Sequence, residues 1–115
     1  MSFDWGKFLE VAEKLNQQKS EETFRTAISR AYYSVFCTIR NLKGFKDYKQ
    51  RDIHSKLIET LKNSHSNSDN FIGTTLDQLR RERNIADYNE DKTVNEMMSQ
   101  KCIYMAQEIF KFIKK

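Results

Sequence analysis

The chain's 115 residues suffice for one buried core and fall short of two, so residues 1–115 are read as a single domain. Proline is absent, glycine stands only at positions 6, 44 and 73, and Lys, Glu, Leu, Ala, Met and Gln are common, which predicts an all-α domain. Twenty basic against sixteen acidic residues leave a net charge of +4, too mild to establish a nucleic-acid partner, and no apolar run is long enough for a membrane span.

The first residues, MSFDWGKFLE, carry acids where a secretory leader needs a basic region followed by an apolar one, so a soluble, cytoplasmic protein is expected. Trp5, Phe8, Ala12 and Leu15 recur at steps of three and four and predict an amphipathic helix over 4–18, capped by Ser2 or Asp4. Ser20 followed by Glu21 and Glu22 opens a second helix, which runs to about Lys43 and is terminated by Gly44. That helix carries one stripe of Phe24, Ile28, Ala31, Val35, Ile39 and Leu42 and a second, mixed stripe of Thr26, Arg30, Tyr33 and Cys37. Two such faces place it at the centre of the domain, or between a core and a partner.

A basic loop covers 44–50, and Ile53, Leu57, Ile58 and Leu61 mark a shorter third helix with His54 near its start. From Arg40 to Lys62 seven basic residues face three acidic ones, an excess equal to that of the whole chain. NSHSNSDN at 63–70 is a polar loop, and a fourth helix is predicted from Ser68 or Asp69 to Tyr88. Thr93 and Glu96 have capping-box spacing and predict the start of a fifth helix, with Val94, Met98, Cys102, Met105, Ile109 and Phe112 along one face. Five helices on short loops predict an antiparallel bundle of four to five helices. Cys37 and Cys102 have no paired spacing, and His54 and His65 complete no ligand set with them, so buried, reduced thiols and no metal are expected.

The informative stretch is LRRERNIADYNE at 79–90. Ile72, Leu76, Leu79, Arg83 and Ala86 follow one another at four, three, four and three residues, so Arg83 lies on the core-facing line of the fourth helix. A permanently charged guanidinium there must be paired, or must face a cleft or interface, because desolvating it alone is very costly. Asp87, four residues on, is within pairing reach, and spacing alone allows a purely structural salt bridge that anchors the helix end. Arg80, Asn84 and Asp87 share a neighbouring face, while Arg80 and Arg81 are read as solvated charges.

RNIADY at 83–88, together with SRAYYSVF at 29–36 in the second helix, resembles the HEPN superfamily of small helical-bundle proteins, and the resemblance covers most of the chain. It implies a homodimer, or a heterodimer of similar domains, in which the late arginine motifs face each other across a cleft. Active family members are metal-independent RNA endonucleases with an Arg-polar-x-x-x-His motif and no cofactor, found in toxin–antitoxin pairs, often beside a small nucleotidyltransferase, and in antiviral defence. Arg83 and Asn84 match that motif as catalytic candidates. Tyr88 stands where the histidine is expected, so the site departs from the family pattern there.

The substitution matters chemically. An imidazole titrates near neutrality and can move a proton to or from a ribose 2′-hydroxyl, whereas a phenol, with a pKa of about 10, is a poor base at pH 7. Tyr88 retains the capacity to donate a hydrogen bond to phosphate or to stack on a base. Residues five apart on an ideal helix are separated by about 140°, so Arg83 and Tyr88 meet only through a distorted helix end or across two subunits. By the same resemblance Arg30 and Tyr33 are candidates for the RNA-binding cleft, joined by Arg80 and Asp87 from their shared helix face and by His54 from its place in the basic stretch. His54 could serve as a substitute proton carrier or be a plain helix-start residue. The competing expectation is a non-catalytic helical subunit that binds a nucleotidyltransferase or a larger defence effector.

Overall fold

A computed structural model describes residues 2–113. Its described residues form five helices and no strand: α1 Lys7–Asn16, α2 Glu21–Leu42, α3 Ile53–Lys62, α4 Asn67–Tyr88 and α5 Glu96–Ile113. None of the helices is long and apolar enough to cross a membrane. The central element is α2, which packs on α1, α4 and α5, while α3 packs on α4. Its side chains from Phe24 to Ile39 are buried on several sides, with Ile28, Tyr32 and Val35 fully enclosed.

Local chemistry sets the helix ends. Ser20 caps α2 by accepting from the Thr23 N–H, while the Thr23 hydroxyl accepts from the Ser20 N–H at 3.2 Å. The helix stops where Gly44 enters the left-handed region at φ +80°, as its position in the sequence predicts. Lys19, at φ 58°, makes the sharp turn between α1 and α2 and pairs with Glu96.

Several boundaries differ from the sequence expectation. Residues before Lys7 form a turn, in which the Asp4 carboxylate accepts from the Gly6 N–H at 2.9 Å, so α1 is shorter than 4–18. The polar run supplies a cap one or two residues earlier than expected: Ser66 accepts from the Asp69 N–H at 3.2 Å, and α4 begins at Asn67. At α5 the cap is Asn95, which accepts from the Met98 N–H at 3.0 Å, and not Thr93; Glu96 turns to Lys19 instead. The apolar stripe of α2 ends at Ile39, since Leu42 is 60% exposed.

The α3–α4 corner is closely fitted. Asn70 donates its side-chain amide to the carbonyls of Leu61, Lys62 and Ser64 at 2.9–3.1 Å, satisfying the open end of α3. Opposite that end lies Gly73, where an added Cβ would sit 2.8 Å from Leu61 Cβ and 3.0 Å from the Lys62 nitrogen. Gly73→Ala is therefore expected to destabilise the fold by about 1–2 kcal/mol in chemical denaturation, because forced separation of α3 and α4 outweighs the roughly 1 kcal/mol gained in helix propensity. An unchanged or raised midpoint would show that α3 yields freely.

The basic excess at 40–62 is partly neutralised across this corner, where Lys43 pairs with Asp69 and Lys62 with Asp77, each at 2.8 Å. Cys37 and Cys102 are free and buried, and burial pushes the Cys102 thiol up to about 12.

Candidate functional site

Arg83 sits where the periodicity places it, on α4 between buried Leu79 and Ala86, with its side chain only 15% exposed. Three of its nitrogens are engaged. Nε donates to Asp87 Oδ2 at 2.8 Å, Nη1 to Asn84 Oδ1 at 3.2 Å and Nη2 to Tyr88 Oη at 3.3 Å. Its guanidinium also lies over two rings, 5.0 Å from the centroid of Tyr33 and 5.4 Å from that of Tyr88.

Arg83, Asn84, Asp87 and Tyr88 of RNIADY thus meet within one subunit. Five-residue spacing was expected to keep Arg83 and Tyr88 apart, but the length of the arginine and the position of Tyr88 at the last helical residue let the two tips meet. No distortion or second copy is required. Tyr88 is 73% exposed, so its ring covers one side of the guanidinium while offering the other to solvent.

From α2, Ser29 Oγ donates to the same Asp87 oxygen at 3.3 Å, and Arg30 Nη2 donates to Ser29 Oγ at 3.4 Å. Arg30 rests over Phe8 at 4.8 Å and over Tyr33 at 5.6 Å, and its Nε is buried without a partner. Two guanidiniums therefore share the Tyr33 ring and a single carboxylate, Asp87, which touches Arg30 only through Ser29. Burial raises the Tyr33 phenol above its ordinary value, and the neighbouring Arg83 opposes this.

His54 is not a bare helix-start residue. Its Nδ1 meets the Tyr32 hydroxyl at 2.6 Å, and its ring stacks on Phe36 at 4.1 Å and stands edge-on to Tyr33 at 6.2 Å. Burial, then the charges of Arg80, Arg83 and Arg40, push its pKa down to about 4, so the imidazole is neutral at pH 7. Burial raises the Tyr32 phenol strongly, which keeps its proton in place. Arg81 pairs with Asp77 and is 73% exposed, an ordinary surface charge as expected. Arg80 is not one: it is half-buried and bears on both Tyr32 and His54.

Two positions escaped the sequence reading. Arg25 donates to the carbonyls of Ile85 at 3.3 Å, Ala86 at 3.0 Å and Lys92, and pairs with Glu21 at 3.0 Å. It thereby closes the C-terminal end of α4, which has no basic residue in its own last turn, and ties down the loop to α5. Glu21 in turn accepts from the Val94 N–H at 3.0 Å, which lowers its pKa. The second missed position is Tyr32. The polar line of α2 that meets the motif is Arg25, Ser29 and Tyr33; it shares Tyr33 with the mixed stripe expected, whose Arg30 also reaches the cluster while its Thr26 faces solvent.

Beside the cluster, Glu21, Arg25, Ala86, Asp87, Tyr88 and Glu90 line an open depression of about 390 Å³. A larger one, about 470 Å³ between α1 and α5, shares no residue with it. Among the described residues no group of three His, Cys, Asp or Glu side chains is placed to hold a metal ion.

The sequence profile of the HEPN domain matches residues 6–115, nearly the whole chain. The chain belongs to the HEPN domain family. Comparison with curated proteins and with solved structures gives no match. The five-helix architecture agrees with a HEPN helical bundle, and within that bundle RNIADY lies at the C-terminal end of α4, against SRAYY of α2.

Proposed function

We propose that this HEPN domain is a dimeric module of a toxin–antitoxin or antiviral defence system that engages RNA at a cleft formed around Arg83, Asn84 and Tyr88. The observation that carries the reading is the charge balance at Tyr33: Arg30 and Arg83 both lie over its ring with one carboxylate between them. A half-buried surplus of positive charge attracts an anion, and the exposed Tyr88 ring beside it suits a base. A phosphodiester with an unstacked base offers both at that spacing.

Cleavage demands more than binding, because the 2′-hydroxyl must lose a proton as it attacks and the leaving oxygen must gain one. Arg83 and Asn84 could stabilise charge on the phosphate, but Tyr88 supplies no neutral-pH base. RNA cleavage in chelator should therefore be slow in the parent, and Tyr88→His is expected to accelerate it at least roughly ten-fold, within the range of general-base contributions. Tyr88→Phe should retain stacking without gain. A parent that neither binds nor cleaves RNA at low salt removes the reading.

A second reading has its own observation. Met97 and Tyr104, seven residues apart on α5, are 77% and 58% exposed, a face suited to a partner such as a nucleotidyltransferase or a larger defence effector. Under it the domain is a non-catalytic interaction subunit. A monomer by light scattering that recovers no partner in a pull-down counts against this reading.

A further inference from the structure

The stacked run around the motif does not end at Tyr33. Arg30, which shares that ring with Arg83, also rests over Phe8 at 4.8 Å, and Phe8 stands edge-on to Trp5 with centroids 5.3 Å apart. Arg40 lies 5.9 Å over Trp5. Tyr33 and Arg40 are seven residues apart on α2, so they share one side of the helix, about 10 Å apart along its axis. From Tyr88 to Arg40, cations and rings therefore follow one another at 4.8–5.9 Å across α4, α2 and the start of α1.

Both ends of the run are open: Tyr88 is 73% exposed, and Phe3, packed on Trp5 and Phe8, is 51% exposed. The side chains between them are half-buried. Charge along the run is one-sided. Among the described residues Arg30 and Arg40 have no ion pair; Arg30 donates to Ser29 Oγ at 3.4 Å and Arg40 to Asn41 Oδ1 at 3.0 Å, both neutral. Of the nearby acids, Asp87 is held by Arg83, and Asp4 turns back to the Gly6 N–H. Lys46 adds charge beside Phe3, donating to Ser2 Oγ at 3.3 Å. A single strand matches such a surface, since its phosphates need cations and its unstacked bases need rings, whereas a duplex keeps its bases stacked on one another.

We propose that this run is a track for single-stranded RNA: a strand held at Arg83 and Tyr88 continues past Tyr33 and Arg30 to a second stacking platform at Phe3, where Arg40 takes a phosphate. It rests on the RNA reading of the Arg83 cluster and adds to it the substrate class, an unpaired strand several nucleotides long. Phe3 is held for this role although it precedes α1, because Trp5 and Phe8 pack edge-on against it at 4.9 and 5.7 Å.

The test titrates the full chain and its Phe3→Ala and Arg40→Gln variants, each with an unchanged melting temperature, into a labelled uridine dinucleotide and a labelled single strand of about eight uridines at low salt without metal. The longer strand should bind the parent at least about ten-fold tighter than the dinucleotide, and tighter than a duplex of its own length. Each variant should weaken the longer strand by about five-fold or more, the range of one lost stack, and the dinucleotide by less than about two-fold. Arg40→Gln should also reduce the slope of log affinity against log salt by about 0.7, one phosphate contact of a single strand, whereas Phe3→Ala should leave it unchanged. If both strands bind alike, if the duplex binds equally well, or if the variants weaken both strands equally, the track is refuted and the RNA reading stands. If no RNA of either length binds, the RNA reading falls and the track with it. Binding to anionic phospholipid vesicles that Phe3→Ala abolishes, with affinity for the longer strand unchanged, would overturn the track in favour of a membrane surface.

Discussion

Arg25→Ala is expected to lower stability by about 2–3 kcal/mol, a fall in melting temperature on the order of 10 °C for a domain of this size. The arginine reaches across the bundle to carbonyls of Ile85, Ala86 and Lys92, and its side chain is only 21% exposed, so water does not replace it fully at that helix end. Charge-assisted bonds to carbonyls are worth more than neutral ones, and here several depend on a single side chain. The loss should be local as well as global: amide exchange should quicken at 84–94, where Val94 also leans on Glu21. Because Asp87 and Tyr88 occupy that stretch, RNA affinity should fall although Arg25 is proposed to touch no RNA. Unchanged exchange there would show that α4 keeps its end without the arginine.

Arg83→Lys is expected to weaken RNA binding by about ten-fold, or roughly 1.4 kcal/mol, despite the unchanged net charge. Arg83 engages Asp87, Asn84 and Tyr88 through three separate nitrogens while its guanidinium lies over the Tyr33 ring, 5.0 Å from the centroid. An ammonium is a point charge that cannot hold those partners at once or stack between two rings. The freed Asn84 and Tyr88 would lose their common anchor, so the salt slope of binding should stay near the parental value while the affinity drops. Binding within two-fold of the parent would mean that Arg83 contributes charge alone.

What the sequence disclosed was what repeats locally. The three- and four-residue steps through Leu76, Leu79 and Ala86 placed Arg83 on the buried line, and the four-residue step to Asp87 foretold their bond. Ser20 and Gly44 announced the ends of α2 by side-chain and backbone chemistry that needs no distant partner. The missed features depend on neighbours far along the chain. Arg25 finds its carbonyls some sixty residues away, and Tyr32 finds His54 only once α3 has folded back onto α2. Nothing in the periodicity distinguishes Tyr32 from a core tyrosine, since it is wholly buried and its hydroxyl alone is polar. The angular argument that separated Arg83 from Tyr88 failed for another reason: it follows backbone directions and ignores the reach of a long side chain at a helix terminus.

The cluster and the bundle together describe a HEPN domain in which Arg83, Asn84, Asp87 and Tyr88 meet within one chain. The proposed dimer would bring two such motifs together, each presenting an exposed Tyr88. The most direct test is a fluorescence-anisotropy titration of a short single-stranded RNA, at low salt and without metal, against the parent, Arg83→Ala and Arg81→Ala. Both variants remove one positive charge from the same helix, but only Arg83 belongs to the cluster, whereas Arg81 is 73% exposed and paired with Asp77. The account predicts at least a ten-fold loss of affinity for Arg83→Ala and less than a two-fold loss for Arg81→Ala. Equal losses, or no RNA binding by the folded parent, would contradict it.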